Sequence, residues 1–260
     1  LVECRKRLSF PSCRMTYLGF HARFSVPALL AVGAFVAVSP LPSAWWTTGA
    51  AVLCVLFAIV LAFTSPWDNA AVKWGTWDFP PDRVWFRIKY LPVEEYAFFL
   101  LQTAIVALLT IGLVSYSGGH TYVGSIRVSE AAAAGTYLAG WFVVGTVLRR
   151  QPGFSRRFTY AWHLLYWFVP VVIVQWIIAS EILIPHLLIV ATSTLTVGTY
   201  FTIADVIAVR NGIWFFDEQQ ITGTKLSSIL PWEEIAFFYI TSLLVAQSTL
   251  LLLPPFHSSG

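Results

Sequence analysis

Two adjacent glutamates stand just after a proline and just before a long apolar run in LPVEEYAFF, residues 91–99, and the arrangement recurs as LPWEEIAFF at 230–238. Seven of the nine positions are identical. An apolar setting favours the neutral form of a carboxyl group, and a second carboxyl close by reinforces that preference in one of the two. The pattern suits a proton donor paired with a proton acceptor. Adjacent residues of a helix point about 100° apart, so one of Glu94 and Glu95 faces inward and the other sideways, and likewise for Glu233 and Glu234. Residue types alone leave open which is which. Phe98, Phe99, Phe237 and Phe238 follow on the same first turns, and an aromatic face stabilises a cation without offering a nucleophile that would quench it. Acids beside aromatic walls in a dry cavity are equipment for carbocation chemistry.

The plain alternative is that each Pro-x-Glu-Glu merely begins a helix, since proline suits the first turn and acids complement the positive end of the dipole. The second copy weighs against it, because capping does not require the same Ala-Phe-Phe afterwards. The likeness also extends upstream: Asp68, Lys73, Gly75, Trp77 and Phe79 fall opposite Asp205, Arg210, Gly212, Trp214 and Phe216, after which the second copy carries two extra residues. Asp68 and Asp205 have two readings, as loop acids balancing Lys73 and Arg210 or as groups that orient or reprotonate the glutamates. Trp77 and Trp214 join the phenylalanines as candidate substrate-binding walls.

The elements that must hold these residues are membrane helices. Of 260 residues, 57% are hydrophobic and 11% charged, with a mean hydropathy of +0.71. A span needs roughly 20 apolar residues. Seven candidates stand at 18–39, 45–66, 92–115, 131–149, 159–179, 182–205 and 231–253. The expected fold is all-α, a polytopic membrane protein. Arg23 lies within the first span and is expected to reach for a headgroup or to push the boundary inward. The lone methionine is Met15, so residues 1–14 read as an upstream extension. Cys4, Cys13 and Cys54 show no paired spacing, and no His/Glu metal pattern or nucleotide-binding loop occurs, so no metal and no cofactor is expected. His163 and His186 stand alone and read as structural histidines. Pro170 is expected to kink the fifth span.

Fifteen of the sixteen basic residues fall on the amino terminus and on the second, fourth and sixth connections, leaving Arg127 opposite. By the positive-inside rule the amino terminus is cytoplasmic and the carboxyl terminus outside, in a multi-pass plasma-membrane protein. Self-similarity divides the chain into a first three-helix repeat at 15–130, a linker helix at 131–149 and a second repeat at 150–260. The odd linker restores the starting direction, so the repeats are parallel and all six carboxylates lie on one membrane side.

The doubled LPxEExAFF, each copy preceded by an Asp and a G-x-W-x-F connection, resembles the carotenoid cyclases of the heterodimeric lycopene cyclase type, in their fused two-repeat form, over nearly the whole chain from Met15. The resemblance implies cyclisation of the acyclic ends of lycopene to γ- and then β-carotene, an isomerisation without net redox change. It associates activity most with the first glutamate of each pair, Glu94 and Glu233, with Glu95 and Glu234 as second acids. It implies a lipophilic carotenoid substrate, the bilayer and contact with other carotenoid-pathway enzymes as partners, and no nucleic acid. The rival readings are a proton-coupled transporter, a cyclase of C50 or other carotenoid ends, and a retinal protein. A transporter of this kind calls for Gly/Pro interruptions at the midplane, nearly absent here. A retinal protein needs a lysine deep in the last helix, where residues 231–253 have none and Lys225 lies outside.

Overall fold

The computed structural model describes residues 15–43, 45–120, 127–151 and 153–257. The upstream stretch 1–14 lies outside the described residues. Among the described residues, seven helices are long and apolar enough to cross a membrane: α1 Tyr17–Ala37, α2 Trp45–Lys73, α3 Val93–Tyr116, α4 Val128–Arg149, α5 Arg156–Leu183, α6 Leu187–Arg210 and α7 Trp232–Leu252. The all-α polytopic architecture is as the sequence predicts. Helices α3 and α7 are the most buried and pack on each other; α1 and α2 both lie on α3, α5 and α6 both lie on α7, and α4 leans on α5 at the periphery.

Several boundaries move, and one matters for the site. The second span does not stop at 66 but runs through Pro66 to Lys73, because proline keeps helical φ and the neighbouring helices tolerate its missing hydrogen bond. Likewise the sixth runs to Arg210 rather than 205. Asp68 and Asp205 are therefore helix residues and not loop residues. On a continuous helix, positions five apart point about 140° from each other, so the expected pairing with Lys73 and Arg210 has no geometry to form. Arg23 is exposed in a π-helical turn, His21–Ser25, near the start of α1. Pro170 lies within α5 without a break; the departure from helical geometry comes at Ala179 (φ −143°, ψ 21°).

Short strands tie the helix ends around the site. After α2 and α6 the chain turns at Gly75 (φ +68°) and Gly212 (φ +67°), a left-handed conformation that glycine adopts without a Cβ penalty. Strand β1, Trp77–Asp78, then pairs antiparallel with β5, Phe215–Phe216, in the register Trp77 opposite Phe216, bridging the two halves of the chain. Two hairpins feed the Pro-x-Glu-Glu stretches: β2 (Arg87–Ile88) with β3 (Leu91–Pro92), and β6 (Lys225–Leu226) with β7 (Leu230–Pro231). One of the second copy's two extra residues lies between Phe216 and Lys225, and the other lengthens the β6–β7 turn. At the opposite end of the bundle β4 (Gly119–His120) pairs with β8 (Phe256–His257).

Both glycine turns have open space where a Cβ would point. Gly75→Ala and Gly212→Ala should each cost about 1 kcal/mol, from backbone strain alone. Thermal unfolding in detergent checks this; sharply unequal losses would show that the two turns are not equivalent.

Candidate active site

The two glutamates of each pair part company at the helix start. Pro92 (φ −59°, ψ 149°) and Pro231 (φ −58°, ψ 144°) cap α3 and α7 in matching extended conformations, which sets the direction of the next two residues. Glu94 turns back towards the connection: its Oε1 accepts the backbone N–H of Trp85 at 2.8 Å. Glu233 does the same with the N–H of Thr222, also at 2.8 Å. The Oε2 atoms of both are buried without a hydrogen-bond partner. A buried histidine adds to the first arrangement: His21 Nε2 donates to the carbonyl of Glu94 at 2.9 Å, leaving Nδ1 to meet Ser25 Oγ at 3.0 Å.

Glu95 and Glu234 point the other way, into a narrow cavity of about 30 Å³. Each is held by a tyrosine from the first turn of the helix that begins its half. Tyr17 Oη donates to Glu95 Oε2 at 2.7 Å, and Tyr160 Oη donates to Glu234 Oε2. The tyrosines are fixed in turn by their own backbone N–H groups, which donate to the carbonyls of Arg83 (2.8 Å) and Gln220 (3.0 Å).

Walls of aromatic rings surround the acids. Tyr17 stacks on Phe79 (5.8 Å, 13°) and Tyr160 on Phe216 (6.2 Å, 16°). The tryptophans cross over: Trp214 packs on Tyr17 at 5.1 Å, and Trp77 on Tyr160 at 5.0 Å. Each tyrosine is therefore covered by a phenylalanine of its own half and a tryptophan of the other. Phe20, Trp67, Phe98, Phe237 and Phe238 complete the lining, together with Asp68, and no lysine or arginine contributes to it. Trp67 stacks on His163 (5.0 Å, 7°) and on Phe237 (5.4 Å, 4°). His163 Nε2 donates to the Trp67 carbonyl at 2.9 Å, a structural use of that histidine.

Of the residues singled out from sequence, Glu95, Glu234, Asp68, Phe98, Phe237, Phe238, Trp77 and Trp214 come together on one cavity. Glu94, Glu233, Asp205 and Phe99 lie off its lining. Phe99 is buried and packs edge-on against Tyr96 instead. Asp205 is completely buried, with both carboxylate oxygens lacking a hydrogen bond, as does Asp68 Oδ1. Tyr17, Tyr160, Phe20 and Trp67 were not singled out, yet a signal existed for the tyrosines. Thr16–Tyr17 and Thr159–Tyr160 are the same dipeptide at the start of the first and fifth spans.

Fold and site together describe a multi-pass helical membrane protein with an acid-lined aromatic cavity near one end of the bundle. No family model matches the chain. Two lycopene beta-cyclases, from strains of Halobacterium salinarum, are each 30% identical to it over 240 residues, covering 91% of this chain and 95% of theirs. The bifunctional lycopene cyclase/phytoene synthase of Sporisorium reilianum is 27% identical over 248 residues, 92% of this chain and 35% of that protein. Among solved structures, a mycobacterial Insig homolog from Mycobacterium vanbaalenii matches 78% of this chain and 94% of its own, at 13% identity and a TM-score of 0.45, a likeness too loose to assign a function. The chain belongs to the lycopene cyclase family.

The tyrosine hydroxyls generate a test. Tyr17→Phe and Tyr160→Phe keep the ring stacks and remove one hydrogen bond to a carboxylate, so cyclisation per enzyme should fall about tenfold for each, on the scale of a charge-assisted hydrogen bond. Pigment analysis normalised to enzyme level measures it; unchanged rates in both variants would reduce the hydroxyls to space-filling.

Proposed function

We propose that this chain is a lycopene β-cyclase in which Glu95 and Glu234 carry the proton transfers in one composite cavity. The observation that carries the reading is the convergence of these two carboxyl groups and Asp68 on a cavity otherwise lined by aromatic rings. One carboxylic acid protonates the terminal alkene of the substrate at C2, leaving a tertiary cation at C1. The C5–C6 double bond attacks it, the C1–C6 bond closes the ring, and the cation moves to C5. A second carboxylate removes the proton from C6, giving the β-ring. Atoms and charge balance without an electron carrier, so the reaction is an isomerisation.

Aromatic walls serve this sequence twice. Their faces offer negative potential to a passing cation, worth about 2 kcal/mol when desolvated, and they supply no nucleophile. They also keep out water, which would capture the cation as an alcohol. Glu94 and Glu233 serve differently in this account: by fixing the backbone of Trp85 and Thr222 they hold the connections over the cavity. Their association with activity in the family is then that of positioning residues. The bilayer is the route for a lipophilic carotenoid, and contact with other enzymes of the pathway suits a substrate that never leaves it. The matched tyrosine, glutamate and glycine geometries in the two halves support a division into parallel repeats at 15–130 and 150–260, with 131–149 as linker. The basic connections support a cytoplasmic amino terminus and an outer carboxyl terminus in the plasma membrane, with the cavity on the cytoplasmic side.

Gln substitutions in a lycopene-accumulating host separate the roles. Glu95→Gln and Glu234→Gln should lower cyclisation by at least about a hundredfold, the scale of a lost general acid or base. Glu94→Gln and Glu233→Gln keep an amide oxygen for the backbone N–H and should retain most activity, whereas Glu94→Ala should not. Loss in Glu94→Gln with retention in Glu95→Gln would return the acid role to the first glutamate.

An extended carotenoid is about as long as the roughly 30 Å hydrocarbon layer, so a spanning substrate presents one end at a time to carboxylates on one membrane side. The monocyclic γ-carotene should therefore accumulate and then decay in a time course of pigment extraction. A bicyclic product from the earliest points, with no monocyclic species, would contradict this.

A further inference from the structure

A cyclase working in this way ends each turnover with its proton on the wrong group. One proton is added at C2 and one is removed from C6, so the donor finishes as carboxylate and the acceptor finishes protonated. Before the next ring can form, one proton must move from acceptor to donor, through solvent or within the site. The cavity is built for the second route. Glu95 and Glu234 line the same small space, and the Oε2 of each is occupied by a tyrosine hydroxyl, leaving the other oxygen of each for exchange. Its volume, about 30 Å³, is enough to admit water between the carboxyl groups.

Asp68 is the third carboxyl group on this cavity. It lines the cavity, is 2% exposed, and its Oδ1 is buried with no hydrogen-bond partner. A buried polar oxygen left bare costs about 1–3 kcal/mol. Asp68, like Asp205, lies within electrostatic reach of both Glu95 and Glu234. Its counterpart Asp205, also buried, is not on the cavity lining, and the two halves differ beside the aspartates. The residue before Asp68 is Trp67, a wall of the cavity, and the residue before Asp205 is Ala204, which is not.

We propose that the proton taken from C6 returns to the donor inside the cavity through Asp68, so that each ring is protonated with the proton released by the ring before it instead of one drawn from solvent. This rests on the cyclase reading given above. In the return step the protonated acceptor passes its proton to Asp68, and Asp68 passes a proton to the donor carboxylate. Each O–H bond broken is matched by one formed, and no oxidant or reductant takes part.

Deuterium reports the route. Membranes carrying the full chain are equilibrated in D₂O, given lycopene and allowed many turnovers, and deuterium per ring is measured by mass spectrometry. Internal return labels the first ring each enzyme makes and few thereafter, so the wild type should give far less than one deuterium per ring. Asp68→Asn should be slower and should give close to one per ring, because each donor proton then comes from solvent. Asp205→Asn should keep the low label at whatever rate it runs. Fully labelled rings from the wild type, or a low label in Asp68→Asn, would overturn the proposal. Should Asp68→Asn fail to fold, the wild-type label still decides whether the proton is retained. A wild type that closes no ring at all overturns the cyclase reading beneath it, whereas fully labelled rings overturn the proton return alone.

Discussion

The constraint on which this structure depends is the cost of placing carboxyl groups inside a helical membrane protein. Among the described residues, five carboxylate oxygens, on Asp68, Glu94, Asp205 and Glu233, are buried without a hydrogen-bond partner. Each costs about 1–3 kcal/mol relative to a satisfied group. Most of the surrounding architecture offsets or confines that cost. The four glutamates sit in the first turns of α3 and α7, where unpaired backbone N–H groups and the helix dipole favour negative charge. The aspartates lie towards the opposite ends of α2 and α6 and have no such help, with indole rings, Trp77 for Asp68 and Trp214 for Asp205, as their polar neighbours.

From that constraint the division of labour within each glutamate pair follows. A helix start presents two successive side chains in directions about 100° apart. One direction leads back to the connection, where a backbone N–H waits at hydrogen-bond distance. The other leads between the two halves of the molecule, where only a tyrosine and aromatic rings are available. The first position becomes an anchor and the second an acid exposed to whatever occupies the cavity. The crossing of Trp77 and Trp214 onto the opposite half's tyrosine makes the cavity a joint product, so neither half alone has complete walls.

Much of this was legible in the sequence. The doubled LPxEExAFF, the matched Gly-x-Trp-x-Phe connections and seven apolar runs predicted the helical membrane fold, and eight of the twelve candidate residues share one cavity. What was not legible depended on direction and on long-range contact. Which glutamate of a pair faces inward is fixed by the proline cap and by the hydrogen bond to residue 85 or 222, and apolar pattern carries no record of either. Asp68 lies just past the apolar run that ends at 66, so the sequence leaves a loop acid and a partner of the glutamates both open, and the helix continues through Pro66 to Lys73 in the folded chain. Tyr17 and Tyr160 escaped notice because a tyrosine at a span boundary is ordinary in membrane proteins; their meaning appears when the helix starts are brought beside the glutamates.

In the proposed mechanism the second glutamate of each pair, and not the first, meets the reacting end of the substrate. An experimental structure of the chain in lipid with lycopene bound tests it most directly. The terminal alkene carbon should lie about 3–3.5 Å from a carboxylate oxygen of Glu95 or Glu234, with the aromatic cavity opened around the end group. An end group seated against Glu94 or Glu233, or held outside the cavity between the halves, would contradict it.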